Sequence, residues 1–131
     1  MYKLAIAPLP GGGALVVGGQ LADDPASRLA TTQIYDHIAG AFRAGPTMSE
    51  PRYKISDAVV ALPDGRVVIA GGFGVDVYHR GRLSHVAGSD GDERQTPAAV
   101  ALNDGTVLVT GGYDDRTRVT ASAILVNPAT D

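Results

Sequence analysis

An internal repeat is the feature of this sequence that most restricts its fold. Residues 62–72 (LPDGRVVIAGG) recur as residues 102–112 (LNDGTVLVTGG) and, in weaker form, as residues 9–19 (LPGGGALVVGG). The first glycines of the closing pairs are Gly18, Gly71 and Gly111. The copies are therefore 53 and 40 residues apart, which is longer than the period of helical hairpins or leucine-rich turns. We expect successive copies of one supersecondary unit.

Each copy of the repeat predicts a β-hairpin. An apolar run meets an Asp-Gly or Gly-Gly turn, for which we expect type I′ geometry, and a second β-rich run follows. In residues 67–69 this second run is continuously apolar, which indicates a strand covered on both faces. The paired glycines that end it are predicted to be structural, at a bend where backbones approach closely. These glycines are Gly18, Gly19, Gly71, Gly72, Gly111 and Gly112.

Two further strands follow each hairpin where the chain continues. Third strands are predicted at residues 31–35, 75–78 and 121–126, and fourth strands at 41–44 and 82–86. Four antiparallel strands per repeat are typical of a β-propeller blade. The expected fold is all-β, a single segment over residues 1–131 with blades at 2–46, 53–88 and 93–131, the last one incomplete.

Aromatic residues beyond the double glycine add a family resemblance. Tyr35-Asp36 followed by Gly40-Ala41-Phe42 resembles the third-to-fourth strand hairpin of the kelch repeat in its bacterial form, and residues 45–52 resemble its linker to the next blade. The chain departs from the family at Leu83 and Val126, which stand in place of aromatic residues. The resemblance implies a kelch-type β-propeller.

The predicted strands are too few to close a propeller. Eleven strands leave two apolar blade faces open, and faces of that size are normally covered. Two partners are considered: further blades of a longer chain, or a second copy of this chain in a homodimer that closes a six-bladed ring.

Composition excludes several functional classes. The net charge of −3 argues against nucleic acid and anionic membrane surfaces as partners, and the absence of cysteine excludes disulfides and thiolate sites. His37, His79 and His85 lack the spacing of metal ligands, and the acidic run at residues 89–93 lacks a complete calcium-loop pattern. No metal, cofactor or catalytic residue is predicted.

The kelch resemblance implies where a ligand would bind. In that family the loop after the double glycine and polar residues before the innermost strand surround one mouth of the channel. The corresponding positions are Gln20, Arg52, Lys54, Phe73, Arg94 and Tyr113. Arginine and tyrosine suit a carboxylate or a sugar. The alternative is that these residues are solvated turn residues or donors of hydrogen bonds between blades.

The function expected from this architecture is a binding or scaffolding module. Its long loops, residues 20–30 and 113–120, would meet a protein or glycan ligand. One alternative is a carbohydrate-active enzyme, similar to sialic acid mutarotases or glycan oxidases, although this rests on fold analogy and the balance is against an enzyme. Another is a structural spacer domain.

Overall fold

A computed structural model describes residues 2–91 and 93–129 of the chain. Eleven β-strands and one turn of 3-10 helix, Pro25–Ser27, make up its regular structure. The all-β class expected from the sequence is therefore confirmed. No helix in these two ranges is long and apolar enough to cross a lipid bilayer.

The strands form three antiparallel sheets in which neighbours in sequence are neighbours in space. Sheet 1 contains β1 Ala5–Pro8, β2 Ala14–Val17, β3 Thr32–Asp36 and β4 Ala41–Ala44. Sheet 2 contains β5 Val59–Ala61, β6 Val67–Ile69, β7 Asp76–His79 and β8 Arg82–His85. Sheet 3 contains β9 Ala98–Ala101, β10 Val107–Thr110 and β11 Ala123–Val126. The strands lie within a few residues of their predicted positions.

The first hairpin turn of sheet 2 corrects the expected type I′ geometry. Gly65 has a φ of +93°, whereas Pro63 and Asp64 are not in the positive-φ region. The Leu62 N–H donates to the Arg66 carbonyl at 2.8 Å, and the Gly65 N–H donates to the Leu62 carbonyl at 3.0 Å. These bonds close a three-residue loop that ends in a left-handed glycine. Type I′ was wrong, and the turn of sheet 3 shows that proline is not the reason. There the Leu102 N–H donates to the Thr106 carbonyl and the Gly105 N–H to the Leu102 carbonyl in the same way, with Asn103 at the proline position.

The hydrophobic core runs through all three sheets, with sheet 2 in the middle. β5 lies beside both β1 and β9, and all three residues of β6 have no exposed surface. The predicted double-sided burial of residues 67–69 is therefore confirmed. The core includes Leu15, Val17 and Ile34 from sheet 1, Val67, Val68, Ile69 and Val77 from sheet 2, and Val107, Val109 and Val126 from sheet 3.

The outer faces of sheets 1 and 3 expose apolar side chains. In β1 the alternation of the strand buries Ala5 and Ala7 and leaves Ile6 63% exposed. In sheet 3, Leu125 pairs with Leu108 on the outer face and is 62% exposed. Both ends of the three-sheet stack therefore present apolar surface to solvent.

One backbone hydrogen bond is repeated between successive sheets. The Gly19 N–H donates to the Arg52 carbonyl, and the Gly72 N–H donates to the Arg94 carbonyl, each at 2.8 Å. The two arginines lie in the segments that lead into sheets 2 and 3. Gly18 stands at the first of these contacts with φ +61°, where a Cβ would collide with the Arg52 carbonyl oxygen. The double glycine thus allows the next sheet to approach.

Candidate functional site

The three repeats meet in a row of residues just before their first strands. Lys3, Lys54 and Thr96 have left-handed φ values of 59°, 56° and 51°. The Lys54 N–H donates to the Lys3 carbonyl at 3.0 Å, and the Thr96 N–H donates to the Lys54 carbonyl at 3.2 Å. We call these residues the junction row. Residues other than glycine persist in this conformation only where the surroundings enforce it, and such positions cluster at functional sites.

The lysines of the junction row lie among tyrosine rings. The Lys54 Nζ donates to the Tyr113 hydroxyl at 3.0 Å and lies 5.3 Å from the Tyr53 ring centroid. The Lys3 Nζ lies 5.0 Å from the Tyr2 centroid and 5.9 Å from that of Tyr53. These separations are within the range of cation–π attraction. The Lys54–Tyr113 hydrogen bond raises the pKa of Lys54 and lowers that of Tyr113, so Lys54 is cationic at neutral pH.

A polar network closes one side of the junction row. The Arg28 guanidinium stacks 3.8 Å from the Tyr53 ring centroid. The Tyr53 hydroxyl accepts from Arg28 and donates to the Gln95 Oε1 at 2.8 Å. Asp115 then accepts from both Gln95 and Arg28. Burial raises the pKa of Tyr53, so its hydroxyl remains neutral.

Lys54 lines two separate spaces. A cavity of about 230 Å³ is lined by Lys3, Lys54, Ile55, Ser56, Asp57 and Thr96, with Pro97. A groove of about 610 Å³ includes Arg28, Tyr53, Lys54, Tyr113, Asp114, Asp115 and Val119 among its walls. The Lys54 ammonium contacts the Tyr113 hydroxyl and therefore lies on the side of the groove.

The structure brings only two of the six sequence-predicted binding residues into direct side-chain contact, Lys54 and Tyr113. Gln20 is buried and its side-chain amide donates to the Tyr2 hydroxyl at 2.7 Å. Tyr2 precedes Lys3 in the sequence. Phe73 is 45% exposed and its backbone N–H donates to the Glu50 carboxylate.

The two predicted arginines are buried and bind backbone carbonyls. Arg52 donates to the carbonyls of Gly71 and Gly74, the latter at 2.9 Å. Arg94 donates to the Gly111 carbonyl at 2.8 Å and to the Ser122 carbonyl at 3.0 Å. Each guanidinium therefore holds the backbone after β6 or β10 and points away from solvent.

A second ionic cluster lies along β7 and β8. The Asp76 carboxylate lies 3.3 Å from Arg52 and accepts from the backbone and hydroxyl of Ser49. His85 places Nδ1 2.9 Å from Asp76 and Nε2 2.9 Å from Asp90. Hydrogen bonds to these carboxylates raise the pKa of His85. The sequence analysis found no metal-ligand spacing around His85 and predicted no contact for it. Pairing of β7 with β8 brings Asp76 opposite His85.

The acidic run at residues 89–93 does not converge on one point. Asp90 contacts His85, whereas Glu93 accepts from the Asp115 backbone and from Gln95. Asp92 lies outside the described residues. Within the part of the chain that the structure describes, no group of three or more histidine or acidic side chains is placed to hold a metal ion.

Another cleft, of about 590 Å³, lies among the hairpin turns of sheets 1 and 2. Its walls include Leu9, Ile34, His37, Asp64, Tyr78 and His79. The residues that the sequence predicts for binding lie elsewhere, so this cleft is separate from the candidate site.

Sequence reasoning missed several residues of the site. Lys3, Arg28, Tyr53, Gln95 and Asp115 take part in the junction-row contacts but were not predicted to bind. One signal was available, because the dipeptide Tyr-Lys occurs at residues 2–3 and again at 53–54, each time shortly before the first strand of a repeat. Arg28 and Asp115 carry no comparable signal, since they come from long connections between strands.

Comparison with known proteins adds no relative: no protein-family model matches the chain, and no curated protein sequence matches it.

Proposed function

We propose that this chain is a segment of a kelch-type β-propeller that acts as a binding or scaffolding module, with its ligand site at the junction row. The observation that carries the proposal is the repeated hydrogen bond from Gly19 to Arg52 and from Gly72 to Arg94. It joins each sheet to the next in the same head-to-tail manner. Head-to-tail contacts of this type form a ring where the rotation from one sheet to the next closes.

The strand register supports continuation beyond sheet 3. Leu15, Val68 and Leu108 occupy the same position of the repeat. Leu15 and Val68 are fully buried, whereas Leu108 is partly exposed on the outer face of sheet 3. The outer face of sheet 3 therefore corresponds to the face through which sheet 1 contacts sheet 2. A further sheet of the same type would cover this outer face.

The groove beside the junction row supports a binding role. Arg28 belongs to the long connection between β2 and β3, while Tyr113 and Val119 belong to the one between β10 and β11. Variable loops on a rigid β frame are where recognition is most often found. A protein or carbohydrate ligand would meet these loops.

The solution mass of the chain tests the propeller frame. If further blades of a longer chain cover the open faces, we expect the isolated chain to aggregate or to melt without cooperativity. If a second copy covers them, we expect light scattering after gel filtration to show a discrete dimer with a melting temperature that rises with concentration. A monomer that melts cooperatively at a concentration-independent temperature contradicts the proposal.

Two matched variants locate the association surface. Leu125→Glu places a charge on the outer face of sheet 3 and is expected to reduce association. Ile38→Glu changes an apolar residue that is 88% exposed in the turn between β3 and β4, and it is expected to leave association unchanged. Equal effects of the two substitutions would argue against the outer face as the contact.

A further inference from the structure

We propose that the Lys3–Lys54 pair binds the anionic group of a ligand, a carboxylate or a phosphate. This inference rests on the proposed binding function and assigns the ligand chemistry of the same site. Three observations support it: the two lysines lie side by side, neither forms an ion pair among the described residues, and Lys54 lines a cavity and a groove.

The chain places its two lysines together. Lys3 and Lys54 are the only lysines in the sequence, each precedes the first strand of a repeat, and both have left-handed backbones. The hydrogen bond of 3.0 Å between their backbones holds them side by side. The two ammonium groups lie 5.9 Å and 5.3 Å from the Tyr53 ring centroid, so one anionic group beside that ring would be attracted by both.

Within residues 2–91 and 93–129, no carboxylate forms an ion pair with either lysine. Among the described residues, the cations in ion pairs are Arg28, Arg52, Arg66, His85 and Arg118, and neither lysine takes part. Asp57 lines the small cavity but forms no ion pair with either lysine within the described ranges. Asp115 is already engaged by Arg28 and Gln95.

The hydrogen-bonding capacity of Lys54 fits an oxyanion. An ammonium carries three N–H donors, and the Tyr113 hydroxyl accepts one of them at 3.0 Å. That bond orients the ammonium and leaves donors for a ligand oxygen. Lysine acts as a point charge without the planar fork of arginine, so the pair accepts the oxygens of either a carboxylate or a phosphate.

The spaces around Lys54 match a ligand with a small charged end. The cavity of about 230 Å³ is below the size of sites for drug-sized molecules, and the Asp57 carboxylate in its wall disfavours an anion deep inside it. The groove of about 610 Å³ is lined by both Lys54 and Tyr113, which the Lys54 ammonium contacts. The anionic group would lie at the Lys54 end of the groove, and the remainder of the ligand would continue along it.

Calorimetric titration of the full chain at low ionic strength tests the proposal. The probes are inorganic phosphate, sodium glucuronate and neutral glucose. We expect saturable binding of at least one anion that weakens as salt is added, and no binding of glucose. Tighter binding of phosphate identifies a phosphate ligand, and tighter binding of glucuronate identifies a carboxylate.

Charge-removing variants then locate the site. Lys54→Met keeps the aliphatic stem and is expected to weaken anion binding about tenfold, the usual effect of losing one charge-assisted hydrogen bond. Lys54→Arg keeps the charge and is expected to retain most of the affinity. Arg80→Met is the matched control, because Arg80 also has a left-handed φ, +53°, but lies between β7 and β8. If Lys54→Met shows no thermal unfolding transition and is therefore not folded, Lys3→Met is tested in its place.

Several results would overturn the anion site: no binding of either anion, equal binding of glucose, or an equal loss of affinity in Arg80→Met. These outcomes are separate from the light-scattering test. If no anion binds but the chain associates through sheet 3, only the ligand assignment fails. If the chain is a stable monomer that binds phosphate through Lys54, the propeller frame fails and the anion site remains.

Discussion

Arg52 and Asp76 form an ion pair of 3.3 Å in which the side chains are 0% and 2% exposed. Arg52 belongs to the segment that leads into sheet 2, and Asp76 begins β7. Burial disfavours the charged form of Asp76, but the Arg52 guanidinium and hydrogen bonds from His85 and Ser49 outweigh it and lower the pKa of Asp76. The pair therefore places two compensating charges inside the stack of sheets.

Truncation of Arg52 is expected to destabilise the protein strongly. Arg52→Ala leaves the Asp76 carboxylate buried without its cation, which lowers the free energy of unfolding by about 3–5 kcal/mol. Urea denaturation monitored by circular dichroism measures this loss.

The matched control is Arg118→Ala. The Arg118 side chain is 71% exposed in its ion pair with Asp114, so its removal is expected to change stability by less than about 1 kcal/mol. If Arg52→Ala does not fold, the isosteric Asp76→Asn replaces it. Similar stabilities for the Arg52 and Arg118 variants would show that the buried pair contributes little.

The His85 cluster predicts a pH-dependent stability. Hydrogen bonds to Asp76 and Asp90 raise the pKa of His85 from 6.5, so its contribution is fully present below pH 6.5 and is lost as the pH rises through the raised value. The pKa of Asp76 is lowered from 3.8, so its contribution is present above pH 3.8 and is lost as the pH falls through the lowered value. These two groups therefore favour maximal stability between about pH 3.8 and 6.5.

Unfolding free energies measured across this pH range test the cluster. His85→Gln is expected to abolish the decrease of stability above pH 6.5. His37→Gln alters an exposed turn and leaves the contacts of His85 with Asp76 and Asp90 intact, so it is expected to retain the decrease. An unchanged pH profile in His85→Gln would contradict the assignment.

The double glycines predict a contrast between sheet 1, which another sheet follows along the chain, and sheet 3, the last of the described sheets. Gly18 and Gly111 both have left-handed φ values, +61° and +76°. A Cβ on Gly18 would collide with the Arg52 carbonyl oxygen, whereas a Cβ on Gly111 would meet nothing within 4 Å. Both substitutions to alanine cost about 1–2 kcal/mol for the backbone conformation. Gly18→Ala is expected to cost about 1–3 kcal/mol more, because of the collision.

Chemical denaturation of the two glycine variants side by side measures this difference. Each variant controls for the backbone strain of the other, so the excess loss in Gly18→Ala reports the contact with the next sheet. Equal losses of unfolding free energy in the two variants would show that the Arg52 segment shifts to accommodate the added methyl group without a further cost.

The strands were predictable because they depend on local pattern. Alternating or continuous apolar runs and turn glycines recur in each repeat, and the structure forms strands at those places. The hairpin turn at residues 63–65 was mispredicted, since Asp-Gly predicts a two-residue turn, whereas the strand register here closes a three-residue loop that needs only its glycine in the left-handed conformation. Leu108 shows that repeat position alone does not predict burial. The equivalent residues Leu15 and Val68 are covered by a neighbouring sheet, whereas Leu108 is partly exposed.

The candidate site was only partly predictable. The kelch resemblance selected Lys54 and Tyr113 as ligand-binding positions, and the structure joins their side chains through a hydrogen bond of 3.0 Å. Arg52 and Arg94 occupy comparable positions in sequence, yet their guanidiniums turn inward to backbone carbonyls. Whether a side chain faces solvent or the next sheet depends on packing between distant segments, which one sequence does not encode locally.

The sequence by itself determined the all-β class, the hairpins and the glycines at the bends, because backbone propensity and the periodicity of apolar residues act over a few neighbouring positions. Only the tertiary structure decided that Lys3 meets Lys54, that Arg52 neutralises Asp76, and that His85 lies between two carboxylates. These contacts join residues brought together by strand pairing or by packing between sheets. Their geometry and charge balance arise when the sheets pack and water is excluded between them.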